Sequence, residues 1–110
     1  MSTNLAKLNG CIFLKEEIEQ SHGYENLDAI GQEAFVNHIH IEGIDHESKA
    51  EKWVQDVTDA LKQDCPGLLF RIYRQTDSQE STVRFHKFRD SQPNWCEDDL
   101  EGIEIIEVRT

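Results

Sequence analysis

The chain has 110 residues, 37% of them hydrophobic and 30% charged, with 22 acidic side chains against 11 Lys and Arg and a formal net charge of −11. That length suits one domain with a real core, the hydrophobic share is too high for a disordered chain, and no apolar run nears the roughly 20 residues of a membrane-spanning helix. So large a negative surplus repels the phosphates of nucleic acid and of anionic membranes, leaving plain solubility or a basic protein partner as its reading.

The opening MSTNLAKLNG has neither a charged n-region nor a long apolar h-region, which is the reading of a chain without a secretory signal. The cysteines, Cys11, Cys65 and Cys96, are odd in number, far apart and form no CxxC. They read as reduced thiols of a cytoplasmic protein.

In residues 4–20, Leu5, Leu8 and Ile12 and the offset Cys11, Leu14 and Ile18 fit one or two helical turns around Gly10. GCIFL fits a short buried strand equally well, because periodicity does not separate the two over so few residues. Ser21-His22-Gly23 breaks the pattern. Asn26 then suits the cap of a short helix carrying Leu27, Ile30 and Ala34, which gives way to a strand by about Val36.

From Ala34 to Ile44 polarity alternates: Phe35, Ile39 and Ile41 face one way, His38, His40 and Glu42 the other. Asp45 stands at the N-cap of a helix over 46–63, whose stripe is Ala50, Trp53, Val54, Val57, Ala60 and Leu61. Pro66-Gly67 ends it. Leu68–Thr76 and Thr82–Arg89 read as a hairpin around Asp77–Ser81, and Gly102–Val108 as the last strand. The strand–helix–strand unit calls for a right-handed crossover with two parallel strands, extended by antiparallel ones. Residues 1–110 thus read as a single α+β domain. Its architecture is a two-layer sandwich, with a mixed four-stranded sheet, helices on one face and a helical N-terminal segment.

Charge is segregated along the chain. Residues 70–89 carry Arg71, Arg74, Arg84, Lys87 and Arg89, and the segment after Trp95 carries Glu97, Asp98, Asp99 and Glu101. Glu104 and Glu107 suit cross-strand pairing with hairpin arginines. Four carboxylates within five residues are a different matter. They repel one another unless a cation or a basic partner stands beside them.

Three groups of residues are candidates for chemistry. His38-x-His40-x-Glu42, with His46 nearby, offers imidazole and carboxylate ligands for a divalent metal. A solvated strand face explains the same residues. Cys65 and Cys96 lack any nucleophile signature, so no catalytic residue is assigned. Six glycines form no phosphate loop, and no cofactor is implied. Trp95 before its acids has the make-up of an interface anchor with steering charges, or of a Trp folded over the core edge.

His22-Gly23-Tyr24-Glu25-Asn26-Leu27-Asp28-Ala29-Ile30 resembles a segment of the barstar family, acidic ribonuclease inhibitors in which a tyrosine–glycine turn leads into an Asn-Leu-Asp-Ala helix. The resemblance implies that Asp28 lies on an inhibitory face. The glycine and tyrosine are exchanged here, Gln32 takes the place of the family's second acid, and the later hairpin departs from three parallel strands.

The reading that follows is a small, non-enzymatic binding protein that neutralises or regulates a basic partner, an immunity protein or antitoxin facing a nuclease being the concrete version. Its expected contact residues are Trp95, Glu97, Asp98, Asp99 and Glu101, then Glu25 and Asp28. A metal-binding enzyme or sensor using His38, His40, Glu42 and His46 is the alternative. A module dimerising through its open sheet face is the third.

Overall fold

The computed structural model describes residues 3–95 and 102–110. It starts with a hairpin, in which β1 (Leu5–Leu8) and β2 (Cys11–Leu14) pair antiparallel. Asn9 and Gly10 between them both have positive φ, 53° and 80°. That is the backbone of a two-residue turn twisted to match its strands, and Asn-Gly adopts it most readily. The expected helical N-terminus is therefore corrected: its helical part is α1 (Lys15–Ile18) alone.

α2 (Ala29–Val36) is capped by Asp28, whose carboxylate accepts from the Gly31 N–H at 2.7 Å. Asn26 lies outside the helix. β3 (His38–Glu42) is consequently shorter than the sequence pattern allowed. α3 (His46–Asp64) follows, with Ala50, Val57 and Leu61 fully buried. Asp45 is its N-cap residue, yet its side chain makes no capping bond; it lies 3.4 Å from Lys49 instead.

β4 (Leu69–Thr76), β5 (Glu80–Lys87) and β6 (Ile103–Arg109) complete a four-stranded sheet in the order β3-β5-β4-β6. Every neighbouring pair is antiparallel. β3 and β4 run the same way, as the crossover reading required, but β5 lies between them. The tight connection through Asp77 holds β5 against β4, its carboxylate accepting from the N–H groups of Gln79 and Glu80. The fold is α+β, and its sheet is antiparallel where a mixed one was expected.

Strand alternation sorts the two faces. Phe70, Ile72, Val83 and Phe85 point toward α3 and are wholly buried. Ile12 and Leu14 of β2 join Val57, Leu61 and Val108 in the same cluster. The N-terminal hairpin and α3 thus share one core, sealed by burial of apolar surface. The opposite face carries His38, His40, Thr82, Arg84, Tyr73 and His86.

Candidate functional site

His38, His40 and Glu42 do share one face of β3, opposite Arg84, Thr82 and Glu80 on β5. The two imidazole rings stand 5.3 Å apart, nearly perpendicular. Each already has a partner. His38 Nδ1 lies 2.5 Å from the Phe35 carbonyl oxygen, and His40 Nδ1 lies 3.1 Å from Thr82 Oγ1 and 4.0 Å from a Glu80 oxygen. His46 goes elsewhere. It begins α3 on the core side of the sheet, buried, with Nδ1 2.7 Å from Ser81 Oγ. Among the described residues no group of three His, Cys, Asp or Glu is arranged to hold a metal.

The face expected to be wet is partly closed by Trp95. Its ring lies 5.0 Å from that of Tyr73, and the Arg84 guanidinium carbon sits 4.1 Å from the Trp95 ring centroid. That is cation–π contact distance. Tyr73 and His86 beneath it are 2% and 0% exposed, while Trp95 keeps 40% of its surface. Trp95 is therefore folded over the sheet, one of the two readings the sequence allowed, with part of its ring surface left open.

His86 is fixed in one tautomer by this packing. The Tyr73 hydroxyl at 2.9 Å and the Trp95 backbone N–H at 3.4 Å both converge on Nε2, while Nδ1 lies 3.1 Å from the Lys87 carbonyl. Nε2 accepts and Nδ1 donates, the arrangement of a neutral ring. Burial pushes its pKa below the ordinary 6.5, outweighing the opposite pull of the Lys87 carbonyl and of Glu33.

The basic residues of the hairpin are largely engaged within the fold. Arg74 lies 2.9 Å from Glu104 and Arg71 lies 4.0 Å from Glu107, across β4 and β6 in register, as the cross-strand reading required. Arg84 lies by Trp95 and donates to the Ala34 carbonyl oxygen. On α3, Lys49 and Lys52 pair with Asp45 and Asp56. Glu25 and Asp28 are exposed, and Asp28 also serves as the α2 cap. The antiparallel sheet departs from the parallel strands of the barstar family. Glu97, Asp98, Asp99 and Glu101 lie outside the described residues.

Cys11 and Cys65 are free and buried, and burial raises both thiol pKa values. They are poor nucleophiles in that state.

Sequence reasoning missed one cluster altogether. Glu33, 0% exposed, accepts from the Ile12 N–H at 2.7 Å, from the Lys87 N–H at 2.9 Å and from Arg89 Nη1 at 2.5 Å. One turn later the Asn37 side chain accepts from the Leu14 N–H and donates to the Ile12 carbonyl oxygen, at 2.8 Å each. Two polar side chains of one helix end thus fasten β2 to β5. The i, i+4 spacing of Glu33 and Asn37 is visible in the sequence, but nothing there says it faces inward.

No described helix is long and apolar enough to cross a membrane. A family model described as the uncharacterized protein PM0498 family matches residues 1–108. No curated protein and no solved structure matches the chain.

Proposed function

The chain belongs to the uncharacterized PM0498 family, and from that premise we propose that it is an acidic binding protein that neutralises or regulates a basic partner protein. Immunity-protein or antitoxin action against a nuclease is the concrete form. The observation that carries the reading is the internal use of positive charge. Arg71, Arg74, Arg89, Lys49 and Lys52 pair with acids of the fold, and Arg84 is stacked against Trp95. These cations are engaged within the fold, which leaves the negative surplus of a chain with net charge −11 uncancelled by them.

The mechanism is occlusion. Carboxylates meet the lysines and arginines with which a nuclease holds phosphate, and an aromatic edge supplies dry contact area. Attraction between opposite fields raises the association rate by about 10- to 1,000-fold at low salt. Trp95, Glu97, Asp98, Asp99 and Glu101 are the proposed contact residues, followed by Glu25 and Asp28. Gln92 accepts from the Ile30 N–H at 3.0 Å, which ties the start of α2 to the segment leading into Trp95.

The test is charge reversal. A basic protein recovered on the immobilised chain is titrated against the native chain and against Asp98→Lys/Asp99→Lys at two salt concentrations. Weaker binding by the variant, with a shallower salt dependence, supports the reading. Equal affinity and equal salt dependence overturn it.

A further inference from the structure

We propose that the outer edge of β3 is a docking edge that takes an extended segment of a partner protein, with apolar and basic residues in alternation, as an added strand. The inference goes beyond the acidic-surface reading and rests on backbone geometry instead of on Glu97–Glu101. It begins with hydrogen-bond parity. The Asn37 carbonyl accepts from the Phe85 N–H, and the register continues as Ile39 opposite Val83 and Ile41 opposite Ser81. In an antiparallel pair the bonded positions alternate. The N–H and C=O groups of His38, His40 and Glu42 therefore point away from β5. Among the described residues β3 has no strand on that side.

The space beside this edge has the shape of a slot with two linings. On the α3 side lies a hollow of about 350 Å³, floored by Leu14, Ile39, Ile41 and Trp53. On the opposite side lies a second hollow, of about 580 Å³, lined by Phe35, His38 and His40 among others. Glu17 of α1 borders both. A strand laid between α1 and β3 sends successive side chains into the two hollows in turn, because strand side chains alternate.

The linings choose the occupant. The α3-side hollow is apolar at its floor and takes aliphatic side chains. Its two lysines, Lys49 and Lys52, already sit against Asp45 and Asp56. The opposite side offers Glu17, with Glu42 and Glu80 directly across from one another beyond His40. Two facing carboxylates repel, and a Lys or Arg between them relieves that repulsion. Large exposed apolar side chains stand near either end of the strand, Phe35 at 44% and Ile44 at 105% exposure. A second copy of this acidic chain brings more carboxylates to the same edge and is the less suited occupant.

The experiment uses the full chain and a fluorescent probe peptide of alternating isoleucine and lysine, about seven residues long. The expected result is salt-sensitive binding with slowed exchange of the His38, His40 and Glu42 amide hydrogens. Methylating alternate backbone nitrogens of the probe removes its strand-pairing donors and lowers affinity at least about tenfold. Glu17→Lys/Glu42→Lys weakens binding, whereas the same charge reversal at exposed acids late in α3, Asp59→Lys/Asp64→Lys, leaves it unchanged, which separates this edge from a general loss of negative charge. His40→Pro, checked for an unchanged circular dichroism spectrum, abolishes it. If the methylated probe binds equally well, or if protection appears elsewhere, the proposal is overturned. A dimer in light scattering that His40→Pro dissolves assigns the edge to a second copy and overturns it too.

Discussion

Glu33 and Arg89 lie 56 positions apart and form a buried ion pair, the carboxylate 0% and the guanidinium side chain 12% exposed. Burial alone would depress the Arg89 pKa, but the hydrogen bond and charge of Glu33 outweigh it and raise the value. The same carboxylate also receives the N–H groups of Ile12 and Lys87. The pair is thus the centre of a polar plug that joins the N-terminal hairpin to the main sheet.

Glu33→Ala leaves two backbone donors and a partly buried cation unmatched, and removal of one member of such a pair costs about 3–5 kcal/mol. Urea denaturation reads this directly. A loss of under about 1 kcal/mol would show that water replaces the carboxylate and that the plug is not structural.

The neutral His86 predicts an acid limb. Its folded pKa lies below the ordinary 6.5 through burial, so below about 6.5 the unfolded chain binds a proton that the folded one refuses. Stability is fully present above the unfolded value and declines as pH falls from about 6.5 toward the lowered one. In urea titrations between about pH 7.5 and 5, the native chain weakens on acidification, and His86→Gln weakens less. Parallel curves would contradict this account of His86.

Trp95→Ala removes a cation–π contact and an edge-on aromatic contact over Tyr73 and Arg84. The expected loss is about 1–3 kcal/mol, with thermal unfolding as the readout and a rise in the solvent exposure of Tyr73. Were stability unchanged, the Trp95 ring would have to leave this cover in solution.

Asp28→Ala separates two roles. The lost cap to the Gly31 N–H costs about 1 kcal/mol, while Asp28→Asn keeps the cap and removes only the charge. A partner that weakens for both variants reads the charge. One that weakens for Asp28→Ala alone reads the order of α2.

Legibility followed the range of the signal. The α3 stripe, the β4–β5 hairpin, β6 and the Arg74–Glu104 pairing were all visible, since each arises from spacing within one element or from simple alternation. The Asn9-Gly10 turn went unread, although Asn-Gly is a favoured hairpin dipeptide, because the four-residue strands beside it fit helical spacing as well. His46 misled because closeness in sequence to His40 says nothing once a turn carries the chain to the other side of the sheet.

The sequence alone determined the α+β class, the bounds of the long helix to within a residue or so and the surplus of negative charge, because periodicity and composition are local or additive. The tertiary structure decided that β5 enters between β3 and β4, that Glu33 turns inward and that Trp95 covers His86. It also decided that the outward groups of β3 face an open slot. Each of these depends on which distant segments meet, and desolvation and hydrogen-bond satisfaction are settled only where they do.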